Sequence, residues 1–177
     1  MRILCLWLAL TGQRSVVAAV LALPLLLVGC GQPAEQLPYD ETADAVADVE
    51  AAMAEARESG RLVLLNFGAN WCPDCRAFAR AMADPELSKI IGDRFVSVKI
   101  DVGNWDRNPD VVDDWGNPIN EGIPALVVAS PAGEILFSTR RGQVSTASRM
   151  SRGELAEFFR LLAEVADAGR SAAPAPG

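Results

Sequence analysis

Apolar positions recur at spacings of three and four over Thr42–Gly60, where Val46, Val49 and Met53 share one face of a predicted helix. Thr42 or Asp44 can cap it and Gly60 can end it. The pattern then changes. Arg61–Phe67 is nearly continuously apolar, which suits a strand covered on both faces. From Cys72 to Met82 the chain reads as a helix with Pro73 in its first turn, and "DPELSKII" as a further helical piece capped by Asp84. Arg94–Asp101 has period two, with Phe95, Ser97 and Lys99 set against Val96, Val98 and Ile100. A polar connection, Gly103–Gly122, holds a short helix from Pro109 to Trp115. Ala125–Ala129 and Glu134–Thr139 are apolar runs around the turn Ser130–Gly133, which predicts a hairpin. Ser151 and Glu154 match a capping box, and Leu155, Phe158, Phe159 and Leu162 form the apolar stripe of the last helix. Strands separated by helices pair in parallel, and the hairpin adds antiparallel pairing. The expected fold is α/β, a mixed central sheet of at least four strands flanked by helices.

The start of the chain follows another pattern. Val16–Val28 is an apolar run of 13 residues preceded by Arg14. A membrane-spanning helix needs about 20, so the run fits the apolar region of a signal peptide. The earlier "ILCLWLAL" is out of place there and points to a start further downstream. "LVGC", Leu27–Cys30, resembles a bacterial lipobox, which implies cleavage before Cys30 and a lipid on that cysteine; an ordinary export signal with a chance cysteine is the alternative. Gly31 after it, rather than aspartate, favours an outer-membrane anchor where the cell has one. The expected organisation is a lipoprotein-type signal peptide over 1–29, a lipidated Cys30 and linker over 30–41, a folded domain over 42–168 and a flexible tail over 169–177.

Charge and composition narrow the chemistry. Loss of Arg2 and Arg14 with the signal would leave 14 basic against 23 acidic side chains. Such a surface repels phosphate backbones, so nucleic acid is excluded as a partner. The chain has no histidine, which removes Ser-His-Asp triads, Cys-His pairs and His-ligated metals.

Of four cysteines, Cys5 would leave with the signal and Cys30 would be acylated, so Cys72 and Cys75 remain as thiols. Residues three apart on a helix lie about 5–6 Å apart, within the Cα separation of about 4.4–6.8 Å that a disulfide accepts. The pair can therefore close and open without unfolding the helix. With Cys72 at the helix start, unpaired backbone N–H groups and the helix dipole favour its thiolate. Cys72 should stand exposed at the helix tip, and Cys75, one turn inside, should be more buried and less acidic. Cys72 is then the attacking sulfur and Cys75 the resolving one. Asp74 sets a negative charge beside the thiolate and should hold its acidity to a moderate level, which leans the couple toward reduction. A structural disulfide of so short a loop would gain little, and two thiolates fall short of a metal's ligand set.

"NFGANWCPDC" followed by "GIPALVV" resembles the thioredoxin superfamily, most closely its secreted thioredoxin-like members and the soluble domain of the membrane thiol-disulfide interchange proteins. The resemblance covers roughly Arg61–Leu162. It implies a thiol-disulfide oxidoreductase with catalytic Cys72 and Cys75, a cis peptide before Pro124, and a docking groove shaped by Trp71, Pro73, Ile123 and Pro124. It implies no bound cofactor, client proteins bearing thiols or disulfides, and an upstream dithiol as electron donor. One position departs. Asn66 stands where thioredoxins usually carry a buried aspartate that takes the proton of the resolving thiol. Asp101 and Glu121 are candidate substitutes. Alternative readings are a tethered binding module that uses the same groove without turnover, or a dedicated helper in cytochrome c or copper-site maturation.

Overall fold

The computed structural model describes residues 37–172, and the predicted signal peptide, Cys30 and residues 173–177 lie outside them. Helix α1, Ala45–Ser59, is capped by the Asp44 side chain, which accepts the Ala47 N–H at 3.1 Å, and ends at Gly60 in the left-handed region (φ 69°). Strand β1, Leu62–Gly68, is followed by α2, Pro73–Met82, and α3, Pro85–Arg94, which starts afresh at its Asp84 cap. Then come β2, Phe95–Asp101, the short α4, Pro109–Asp114, strands β3, Ala125–Ala129, and β4, Ile135–Ser138, and α5, Arg152–Ala172. The predicted capping box is formed: Ser151 Oγ accepts from Glu154 N, and Glu154 Oε2 from Ser151 N.

The strand order is β2-β1-β3-β4. β1 runs parallel to β2 and antiparallel to β3, and β3 and β4 form the expected hairpin. The fully apolar β1 hides two faces. Val63, Leu65 and Phe67 pack with α1 residues Val49, Ala52, Met53 and Ala56, whereas Leu62 and Leu64 pack with Phe78, Leu87, Leu155 and Phe159. Helices thus cover both faces, and each buries a continuous apolar layer.

Four expectations are corrected. Val46 is 46% exposed; the buried face of α1 is instead Ala45, Val49, Ala52, Met53 and Ala56. Phe95 is buried although it alternates in phase with the exposed Ser97 and Lys99, because it sits at the end of β2 against the α3–α5 layer. The domain reaches back past the predicted boundary at residue 42: Tyr39, assigned to the linker, is buried in the core. At the other end α5 continues to Ala172, beyond the predicted limit of 168.

Candidate active site

Strand β1 delivers the chain to the end of the sheet, and the four residues between Gly68 and α2 carry the first cysteine. Cys72 is the N-cap of α2: its Sγ accepts the Cys75 N–H at 3.2 Å. Pro73 follows as the first helical residue, where its missing N–H is no loss. The Cys72 sulfur also lies 3.6 Å from the Ile123 carbonyl oxygen, to which its S–H can donate. The Ile123–Pro124 peptide is cis and leads directly into β3. Sequence positions 51 residues apart are thereby brought to one point.

The expectation of an exposed attacking sulfur needs correction. Cys72 is only 4% exposed and Cys75 is fully buried; Ile123 and Pro124 are buried beside them. Both cysteines are free thiols.

Their acidities are split widely. The hydrogen bond from the Cys75 thiol to the Cys72 sulfur is the chief cause; with the N–H groups of Cys75 and Asp74, it brings Cys72 from 9.0 down to about 7, against burial and the Asp74 charge, which push it up. The same shared bond, with burial, raises Cys75 far above the ordinary thiol range. Asp74 is held by the Ser148 N–H at 2.8 Å, so its charge is fixed near the pair. Carbamidomethylation of Cys72 should therefore titrate with a midpoint near pH 7. Asp74→Asn should move the midpoint down and Cys75→Ala should move it up, as followed by alkylation rates. Stability has a matching sign. Between pH 7 and 9 the unfolded dithiol chain keeps a proton that folded Cys72 has lost. That contribution to stability grows as pH rises through the window and is lost as pH falls through 7. Cys75 acts in the opposite sense above the ordinary thiol value, since there only the folded state keeps its proton.

Trp71 is 49% exposed at the rim of the site, with Nε1–H donating to the Gly103 carbonyl at 2.8 Å. It meets Trp105 edge-on at 6.1 Å between ring centroids. Trp105 is 53% exposed and holds a positive φ of 69°, uncommon for a bulky residue. The long polar connection thus adds a second indole beside the pair.

Asn66 is fully buried on β1. Its Oδ1 accepts the Tyr39 hydroxyl at 3.1 Å, and its amide nitrogen faces Met82 Sδ at 3.4 Å. The two carboxylates considered as substitutes for the missing aspartate are otherwise engaged. Asp101 binds the Arg107 guanidinium at 2.6 Å, and Glu121 accepts from the Asn120 amide in the exposed turn before Ile123. The group that borders Cys75 is Tyr39, whose hydroxyl donates to Asn66 Oδ1 and shares the space beside Gly68 with the sulfur. Sequence reasoning missed it; the available signal was that it is the sole tyrosine of the chain, set in an otherwise polar, proline-containing segment.

A family model described as thioredoxin-like matches residues 44–131. The chain is 34% identical over 123 residues to a thiol:disulfide interchange protein, TxlA, of Synechococcus elongatus, a match covering 67% of this chain; the chain spans 58% of that relative's length. It is 41% identical to the crystal structure of a disulphide isomerase from Xylella fastidiosa Temecula1, with a TM-score of 0.70 over 71% of this chain and 96% of that one. The chain belongs to the thioredoxin superfamily. As a thioredoxin-like protein it keeps the cysteine pair at the strand-to-helix turn and the cis peptide beside it, and its site has the make-up of a thiol-disulfide oxidoreductase. Position 66 of this chain carries a buried amide with a phenol against it.

Proposed function

We propose that the protein is an exported, lipid-anchored thiol-disulfide oxidoreductase that reduces client disulfides. The observation that carries the redox reading is the placement of the two sulfurs, Cys72 as N-cap of α2 accepting the Cys75 N–H and set 3.6 Å from the Ile123 carbonyl before the cis Pro124. That placement goes with a Cys72 thiol lowered to about 7 and a Cys75 thiol raised. At neutral pH Cys72 is about half thiolate and can attack a client disulfide, forming a Cys72–client bond and releasing the other client sulfur. Cys75 then attacks Cys72, and the second client sulfur leaves reduced. The exposed indoles of Trp71 and Trp105 flank the approach, and Ile123 and Pro124 line it where Cys72 meets the Ile123 carbonyl. A dithiol donor upstream must return two electrons to the pair.

The direction rests on acidity. A nucleophile near 7 matches the roughly neutral value of reducing thioredoxins (about −270 mV), rather than the value of about 3.5 found in a strongly oxidising couple at about −120 mV. The membrane location rests on the Val16–Val28 run and on "LVGC" at Leu27–Cys30, with Cys30 as the anchor. Asp74 supports the reading too, since its fixed charge keeps Cys72 from becoming more acidic.

Cys75→Ser tests it. The variant lacks the resolving sulfur, so clients should accumulate as mixed disulfides on Cys72, released by dithiothreitol and identifiable by mass spectrometry. Complexes that resist reductant, with none that yield to it, would favour a binding module in place of an enzyme.

A further inference from the structure

Tyr39 lies just ahead of α1 and is 2% exposed. Both of its backbone groups are clamped by one side chain: its N–H donates to Asn70 Oδ1 at 3.0 Å, and its carbonyl accepts from Asn70 Nδ2 at 2.9 Å. The ring therefore cannot drift. Its hydroxyl donates to Asn66 Oδ1, and the contact of Asn66 Nδ2 with Met82 Sδ keeps that oxygen turned toward the phenol. Gly68 leaves the room for this. A methyl at Gly68 would lie 2.2 Å from the Tyr39 oxygen and 3.0 Å from Cys75 Sγ, so hydroxyl and sulfur border the same space.

We propose that Tyr39 is the hydrogen-bond donor that stabilises the Cys75 thiolate while the mixed disulfide is resolved, its O–H turning from Asn66 Oδ1 to the sulfur. The inference rests on the exchange reaction proposed above and assigns a role within it. In that step Cys75 loses its proton. Its electron pair forms the Cys72–Cys75 bond as the Cys72–client bond breaks. The client sulfur departs with the electrons of that bond and takes up one proton. The client gains two electrons and the pair loses two, with no net change in protons.

Tyr39 keeps its own proton throughout. Burial, then the charges of Cys75 and Cys72, push its phenol well above the ordinary value of 10.0, and an amide oxygen at Asn66 cannot hold a proton. Tyr39 is thus a donor and not a base, which separates it from a buried carboxylate. A donor suits this pocket because burial and the Asp74 charge, which persist once Cys72 is joined to a client, disfavour the charged form of Cys75. The charged and titratable groups acting on the Cys75 sulfur are Cys72 and Asp74, with the Tyr39 hydroxyl bordering it. The Ala69 N–H already favours its thiolate, and Tyr39 is the side chain placed to add a second hydrogen bond while Cys72 is joined to a client.

The test is single-turnover reduction of a symmetric, self-quenched fluorescent derivative of oxidised glutathione. Attack by Cys72 releases the first half of the probe, and resolution by Cys75 releases the second. Tyr39→Phe keeps the ring and removes the donor; it should slow the second phase roughly 10- to 100-fold, the range for a hydrogen bond to a charged group. The first phase should stay within about twofold of wild type. Because the chain has one tyrosine, biosynthetic replacement by 3-fluorotyrosine labels this position alone. The more acidic phenol should quicken the second phase, and its fluorine resonance should move between the dithiol and disulfide states. If Tyr39→Phe fails to fold, the fluorotyrosine protein decides by itself. An unchanged second phase in either protein, or equal slowing of both phases, overturns the role of Tyr39 and leaves the enzyme reading standing. Absence of both phases in the wild-type protein takes down the enzyme reading as well.

Discussion

Cys72→Ser should abolish disulfide reduction, by at least about 1,000-fold, while leaving the fold intact. The attacking species is a thiolate, and only sulfur is present in that form near neutral pH at this position. A serine hydroxyl has no neighbouring histidine or other base to take its proton, since the chain contains no histidine. Stability should behave differently from activity. Cys72 is the N-cap of α2, its sulfur accepting the Cys75 N–H. Serine is among the preferred residues at that position, so the oxygen keeps the cap and the melting temperature should stay within a few degrees of the reduced wild type. The measurement is probe reduction beside thermal unfolding of the same samples. Residual turnover near the wild-type rate would place the nucleophile elsewhere.

Gly68→Ala should destabilise the protein and slow resolution together. Gly68 closes β1, pairs with Asp101 of β2 and gives its carbonyl to Val102 N–H. It cannot move far without opening that register. A methyl there would stand 2.2 and 2.4 Å from the oxygen and Cζ of Tyr39. The ring cannot retreat easily, because Asn70 fixes the Tyr39 backbone on both sides. Overpacking of this kind costs about 1–3 kcal/mol. For a chain of this size that lowers the melting temperature by roughly 3–10 °C. The second phase of probe reduction should slow as the hydroxyl is driven off Cys75. In a Tyr39→Leu background the same alanine should cost less, since the obstructing atoms are gone. Equal losses in both backgrounds would show that the methyl finds room without touching residue 39.

Much of this arrangement was legible from local signals. The bounds of β3 coincide with the apolar run Ala125–Ala129, and Asp44, Gly60, Asp84 and the Ser151–Glu154 box mark helix ends where the structure has them. Each depends on residues within a few positions of one another, which is why sequence reads them well. The cysteine pair was equally local, and the resemblance supplied Ile123 and Pro124. What escaped notice depends on distance along the chain. Tyr39 sits in a stretch with no periodicity, and its partners Asn66 and Asn70 are 27 and 31 residues away. The burial of Cys72 escaped for the same reason: a helix start reads as exposed until the Ile123–Pro124 segment is laid over it. Val46 shows the converse. Its spacing fits the inward stripe, yet small alanines at 45, 52 and 56 let α1 lie against the sheet along a different line.

The position of Tyr39 ahead of the first helix has a practical side. A version of the domain trimmed at the edge of α1 would retain every helix and strand among the described residues, and would still span the region that the family model recognises from residue 44 onward. It would nonetheless leave a ring-sized void next to the second sulfur and expose Asn66 and Asn70 without their tyrosine partner. Excision by secondary-structure borders would therefore yield a well-folded scaffold with an impaired release step.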